Sequence, residues 1–166
     1  MGCVEEYVGI LLEKYGDMVF RVAYTYLRNP ADAEDVSQDV FLKILEKMPN
    51  FNDENHEKAW IIRTTINICK DKLKLFWNRN TAAINTAGDV STVDKYDEDG
   101  VFNAVLELPQ KYRLVVYLYY YEGYTTPEIG RILGKKETTV RSMLHRARQQ
   151  LKSTLKGDDE VECMEG

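Results

Sequence analysis

Between Thr125 and Gln150 the chain reads TTPEIGRILGKKETTVRSMLHRARQQ, and few folds are open to a stretch written this way. Thr125 followed three residues later by Glu128 is a capping-box signature. Pro127 falls in the first turn, where the N–H it lacks would be unpaired in any case. Ile129, Ile132 and Leu133 share one face of the helix that follows. Gly134 ends it, being free to take the left-handed conformation just past a helix. Gly130 has no side chain and would let a second helix approach closely. A new helical period then carries Val140, Met143, Leu144, Ala147 and Leu151 on its apolar stripe, with Arg141, Ser142, His145, Arg146, Arg148 and Gln149 as the polar members. Two short helices, a Gly turn and a basic second helix make the helix-turn-helix pattern, whose second helix would lie in the DNA major groove. The plainer alternative is a surface hairpin of helices with a solvated basic face. Two residues fit the motif poorly. Lys135 takes a turn position that usually buries an apolar side chain, and Lys136 stands where the second helix wants an N-cap.

A net charge of −5 over 166 residues would by itself argue against a nucleic-acid partner. Its distribution reverses that. Residues 101–156 carry ten Lys and Arg against four Asp and Glu, while residues 1–78 are net −3, residues 79–100 net −3 and the last ten net −5. Positive charge therefore gathers around the helix-turn-helix, where phosphate contacts need it. At 44% apolar and 30% charged the composition is that of a soluble globular protein. No apolar run approaches bilayer length, no signal peptide is evident, and Glu6 takes the place where N-myristoylation wants Ser or Thr. Cys3, Cys69 and Cys163 are far apart, odd in number and without metal-type spacing, so they read as reduced thiols in a cytoplasm. With His56 and His145 as the whole histidine complement, neither a metal site nor a cofactor is expected.

The first part of the chain is helical throughout. Val4, Val8, Leu11, Tyr15, Met18 or Val19, Val22 and Tyr26 recur at helical spacing, as one long helix or two in line near Gly16. Asn29-Pro30 starts the next, with Asn as N-cap and Pro at the first position. Val36, Val40, Phe41, Ile44, Leu45 and Met48 point inward on it, and Asp32, Glu34, Asp35, Gln38 and Asp39 outward. Acids near a helix N-terminus favour its dipole, yet this many exceed what a cap requires, so a docking face for a basic partner is weighed equally. After Met48-Pro49 comes a polar loop, Asn50 to Lys58, and then a helix from about Glu57 to Trp77. Its apolar members are Ile61, Ile62, Ile66, Ile68, Cys69, Leu73, Leu75 and Phe76. Trp60, Arg63, Asn67 and Lys70 follow at spacings of three, four and three and line one side. An aromatic among basic and amide groups can stack unpaired bases; a core Trp with snorkelling cations is the alternative.

From Asn78 to Gly100 no period is sustained, and this reads as a flexible acidic linker. Short helices follow from Val101 to Leu106 and from Pro109 to about Glu122. The tyrosines of the second (Tyr112, Tyr117, Tyr119, Tyr120, Tyr121) are better explained as core with wet hydroxyls than as a stacking box. Residues 157–166 form an acidic, apolar-poor tail, read as disordered.

Taken together these pieces resemble the bacterial RNA polymerase sigma factors of the extracytoplasmic-function (ECF) type. DAEDVSQDVFLKI is similar to the family's polymerase-binding helix, FNDENHEKAWIIRTTINICKDKLK to its promoter-melting loop and helix, and LPQKYRLVVYLYYYEGYTTPEIGRILGKKETTVRSMLHRARQQL to its region four. The resemblance implies that Asp35, Gln38, Asp39 and Phe41 grip core RNA polymerase. It likewise implies that Trp60, Arg63, Asn67 and Lys70 lie near the minus-ten element, that the loop Asn52 to Glu57 captures a flipped base, and that Arg141, Ser142, His145 and Arg146 read the minus-thirty-five element. Asp71 and the acidic loop (Asp53, Glu54, Glu57) depart from the family pattern.

The expected fold is therefore all-α: two small helical domains joined by a flexible linker, the second with a helix-turn-helix. Residues 1–77 form the region-two-like domain, 78–100 the linker, 101–156 the region-four-like domain and 157–166 the tail. The expected function is that of a sigma factor that binds core polymerase and directs promoter recognition, melting and initiation, without catalysis of its own. Expected partners are core polymerase, promoter DNA and an anti-sigma factor, with no small-molecule substrate and no membrane insertion. A stand-alone helix-turn-helix regulator is the alternative, but it would leave the first domain without a role. An enzyme would need a catalytic cluster that the sequence lacks.

Overall fold

The computed structural model describes residues 2–79 and 100–155. Every regular element among them is an α-helix. The chain divides into two compact units, Met1–Val90 and Ser91–Gly166. Most of the expected linker and the whole of the tail lie outside the described residues.

In the first unit α1 (Gly2–Leu27), α2 (Pro30–Lys47) and α3 (Glu54–Arg79) pack pairwise around one core. α1 is a single helix running through Gly16. Its turn into α2 is fixed by Asn29, whose Oδ1 accepts the Asp32 N–H at 3.1 Å, with Pro30 in the first turn. The core is filled by Leu11, Tyr15, Met18, Val19 and Val22 from α1, Val36, Val40, Phe41 and Ile44 from α2, and Ile61, Ile62, Ile66 and Cys69 from α3.

Several residues that the sequence places inward are in fact exposed: Leu45 and Met48 on α2, Leu75 and Phe76 on α3. For α2 the reason is angular. The buried row runs through Val36, Val40 and Ile44, and at about 100° per residue Leu45 has already turned away from it. For α3 the reason is length. Tyr15 meets Glu57 near the start of α3, and Lys72 meets Asp32 in the first turn of α2. Beyond Lys72 α3 therefore outruns the helices it packs on, and it continues two residues past Trp77.

The second unit contains α4 (Val101–Glu107), α5 (Gln110–Tyr120), α6 (Thr126–Leu133) and α7 (Glu137–Leu155). α5 is its centre, with Tyr112, Leu114, Val115, Val116, Tyr117 and Leu118 all buried. Tyr117 places its hydroxyl on Glu122 at 2.7 Å, so both Tyr112 and Tyr117 serve as core. Tyr121 is exposed and stacks on Tyr117 at 5.5 Å.

The helix-turn-helix forms as its punctuation dictates. Glu128 N–H donates to Thr125 Oγ1 at 3.4 Å and Thr125 N–H donates to Glu128 Oε1 at 3.4 Å, completing the capping box. Gly134 closes α6 at φ 66°. The role of Gly130 is narrower than expected. A Cβ there would stand 2.7 Å from the Lys135 carbonyl oxygen, so the missing side chain makes room for turn backbone. Gly130→Ala must push that backbone aside and should destabilise the second unit by about 1–3 kcal/mol, read as a lowered melting temperature in circular dichroism. A melting curve identical to that of the parent chain would contradict the close approach.

Candidate nucleic-acid interface

Buried Val140, Met143, Leu144, Ala147 and Leu151 occupy one side of α7, which turns Arg141, Ser142, His145 and Arg146 outward together. All four are exposed. Arg141 is not idle in this position. Its Nη2 donates to Glu137 Oε1 at 2.7 Å, and the same carboxylate oxygen accepts Thr126 Oγ1 at 3.2 Å. Glu137 thus ties the start of α7 to α6 and aims Arg141. Ser142 Oγ donates back to the Thr138 carbonyl at 3.0 Å, leaving its oxygen lone pairs as acceptors. Arg146 hydrogen-bonds the Tyr112 hydroxyl and holds that phenol below its ordinary pKa. Arg148 is committed to packing. Its Nε donates to the Tyr120 hydroxyl at 2.7 Å, and its guanidinium lies 5.6 and 5.7 Å from the Tyr119 and Tyr120 ring centres.

On α3, Trp60 is half-buried and Arg63, Asn67 and Lys70 are exposed along one side. In front of them the expected loop is shorter than the sequence suggests. Asn52 to Glu57 is not all loop, because α3 begins at Glu54. Asp53 causes this. Its Oδ1 accepts the His56 N–H at 2.7 Å, which caps the helix a turn early. His56 Nδ1 in turn accepts the Asn52 N–H at 3.2 Å. Phe51 sets its ring edge-on to His56 at 5.5 Å and to Trp60 at 5.6 Å. The remaining loop, residues 49–53, is thus short and internally tied.

The acids of this region face α1. Tyr15 donates its hydroxyl to Glu57 Oε1 at 2.8 Å, and Lys14 pairs with both Glu54 and Glu57. The hydrogen bond with Glu54 raises the Lys14 pKa, and the Glu54 carboxyl is held below its usual range by the same contact. Burial, reinforced by the bond to Glu57, pushes the Tyr15 phenol up from 10.0 to about 12.

The set that the resemblance assigns to core polymerase splits by burial. Asp35, Gln38 and Asp39 are exposed on α2 as expected, with Lys72 donating to Asp35 Oδ2 at 3.3 Å. Phe41 is 7% exposed and packs in the core of the first unit. One residue further on, Leu42 is 55% exposed and follows Asp35 and Gln38 at helical spacing on the outer face. Leu45 and Met48 continue that exposed apolar edge. Helical spacing places Leu45 and Met48 inward because periodicity marks apolar residues without distinguishing a packed face from a displayed one.

Among the described residues no group of three His, Cys, Asp or Glu could hold a metal ion. None of the described helices is long and apolar enough to cross a membrane. Burial pushes the Cys69 thiol up to about 12, far from the thiolate a nucleophile needs.

Comparison with known families decides what this arrangement belongs to. A family model described as sigma-70 region 2 matches residues 11–76, and one described as sigma-70, region 4, matches residues 101–151. The chain belongs to the sigma-70 family. It is of the ECF type. It is 30% identical over 155 residues to the ECF RNA polymerase sigma factor SigE of Mycolicibacterium smegmatis, covering 87% of this chain and 60% of that protein. It is 26% identical over 164 residues to the ECF RNA polymerase sigma factor SigW of Bacillus subtilis, covering 88% of this chain and 87% of that protein. This sigma-factor chain thus spans somewhat less than two thirds of SigE but most of SigW. Among solved structures, the sigma factor RpoE of Bartonella quintana, determined in complex with the anti-sigma factor NepR, matches with a TM-score of 0.72 at 20% identity over 90% of this chain and 97% of that one. Region 2 accordingly takes in α2 and the Trp60 side of α3, and region 4 takes in the helix-turn-helix.

The Tyr15 phenol, raised chiefly by burial and further by its bond to Glu57, has a measurable pH signature. A phenol whose folded pKa is raised stabilises the fold fully below about pH 10 and loses that contribution as pH rises towards 12. Denaturant titrations by circular dichroism should show a loss of roughly 1–2 kcal/mol across that interval, and Tyr15→Phe should remove that component. An unaltered alkaline profile in Tyr15→Phe would count against a raised Tyr15 pKa.

Proposed function

We propose that this chain is a dissociable promoter-specificity subunit of RNA polymerase, working in the cytoplasm with core polymerase and promoter DNA and carrying out no covalent step itself. The observation that carries this reading is the outward row Arg141, Ser142, His145 and Arg146 on the second helix of a region-four helix-turn-helix. Three contacts follow. The α2 face of Asp35, Gln38 and Asp39, extended by Leu42, docks on the core enzyme, with Phe41 supporting it from beneath. Arg141 and Arg146 meet bases and phosphates of the minus-thirty-five element. Trp60, Arg63, Asn67 and Lys70, with the loop of Phe51 to Asp53, hold unstacked bases of the minus-ten element, so that stacking and backbone contacts offset the cost of melting. An anti-sigma factor, as RpoE has in NepR, is the partner proposed to hold the chain inactive.

The overall charge supports a borrowed affinity. A chain of net −5 binds DNA weakly alone, and its basic second unit acts once polymerase supplies further contacts. A stand-alone regulator is the second reading, and the exposed docking face of the first unit speaks against it.

Run-off transcription with purified core polymerase on promoters selected from a random library tests the proposal directly, since a stand-alone regulator would not enable initiation by core enzyme. Arg146→Ala should lower transcription from such a promoter about 10- to 100-fold, the worth of one good Arg–base contact, with core affinity unchanged. Transcription at the parental level would remove Arg146 from the reading set. Conversely, Gln38→Ala combined with Asp39→Ala should weaken co-purification with core polymerase while leaving the melting temperature unchanged; undiminished co-purification would exclude that face as the dock.

A further inference from the structure

Glu57 is placed unlike an ordinary surface acid. Its side chain is 15% exposed, against 70% for Glu54 one turn earlier. Lowering a carboxylate towards the core costs solvation unless hydrogen bonds and charge replace the water. Here both come from α1, where Tyr15 donates at 2.8 Å and Lys14 stands 3.6 Å away. Tyr15 is otherwise a core residue, so its hydroxyl is carried on a rigid ring.

From Glu57 the contacts lead without a gap to the loop beside Trp60. The Glu57 N–H donates to the Asp53 carbonyl at 3.1 Å. The Asp53 carboxylate caps His56, His56 holds the Asn52 N–H, and Phe51 lies edge-on to both His56 and Trp60. A small rotation of the first turn of α3 would therefore move every group of the loop. Charge gives a second consequence. Glu54 and Glu57 lie beside a surface proposed to receive a phosphate backbone, and both are matched by Lys14 rather than left to repel it.

We infer that Tyr15 and Lys14, on α1, are positioning residues for promoter opening, holding the acidic first turn of α3 so that the loop from Phe51 to Asp53 stands in register with Trp60. This rests on the reading above, in which that loop and Trp60 hold an unstacked base. Neither residue touches DNA; each acts through Glu57, Glu54 and the loop they anchor. It also gives the acidic residues of this loop, which depart from the family pattern, a common purpose.

The test uses the full chain with core polymerase on a library-selected promoter. Each non-template position of the minus-ten element is replaced in turn by an abasic nucleotide, and opening is read by permanganate reactivity of unpaired thymines. Wild type should lose opening most at one position, the base it holds. Tyr15→Phe and Lys14→Gln should each lower opening on the intact promoter about five- to tenfold, as expected for losing one intramolecular hydrogen bond, with core affinity unchanged. Both should also lose most of the discrimination between the intact promoter and the one abasic at that position. Glu57→Gln, which still accepts from Tyr15 but no longer attracts Lys14, should fall between. A variant that opens both templates less by the same factor has a merely structural defect, and that result overturns the inference while leaving the sigma-factor reading intact. Unchanged opening by both variants overturns it as well. A wild type indifferent to every abasic position overturns the base-holding reading and the inference with it. Should Tyr15→Phe fold poorly by circular dichroism, Lys14→Gln, at an exposed position, decides alone.

Discussion

Burial of β-branched side chains at the meeting of α1, α2 and α3 is what the first unit depends on. Val19, Val22, Val36, Val40, Ile44, Ile61 and Ile62 are all fully buried. In a helix such side chains have essentially one χ1 rotamer, so they interlock with little freedom to slide. Helix register is thereby fixed, and with it the direction of every outward residue. Asp35 and Gln38 face outward because Val36 and Val40 face inward, and Arg63 and Asn67 because Ile62 and Ile66 do. The surface chemistry is a by-product of which positions the core has claimed.

The second unit reaches the same end by other means. α6 is short, and its placement draws on its termini as well as on buried Ile129 and Ile132: a capping box at Thr125, a left-handed glycine at Gly134 and the close approach at Gly130. Lys135 and Lys136, ill-suited to a turn by their own chemistry, are simply exposed. What they fail to supply comes from Glu137, whose carboxylate bonds back to Thr126 across the turn.

Much of this was legible in the sequence, and the failures have a shared cause. Helical stripes, caps and the helix-turn-helix are local, so spacing and residue type reveal them. Whether an apolar residue is packed or displayed depends on which other helix reaches it. Leu45 and Leu75 carry the same signature as Ile44 and Ile66, yet both are exposed. Of the adjacent apolar residues Phe41 and Leu42, the first is packed and the second displayed, a choice made by tertiary packing. Two other contacts are local and follow from spacing alone. Asp53 three residues before His56 is an ordinary capping arrangement, and Glu137 four residues before Arg141 is an ordinary helical ion pair. In both the acid matters as a hydrogen-bond acceptor, a role that net charge does not reveal.

The Glu137–Arg141 pair has a bearing on fidelity. Glu137 engages one Nη2 N–H of Arg141 at 2.7 Å and leaves the guanidinium its other donors. On the proposed reading the fork therefore enters the groove already oriented, and less side-chain freedom is lost when it meets a base. Guanine, with two acceptors in the major groove, suits such a held fork better than a base edge with one, so discrimination is gained by preorganisation rather than by adding contacts.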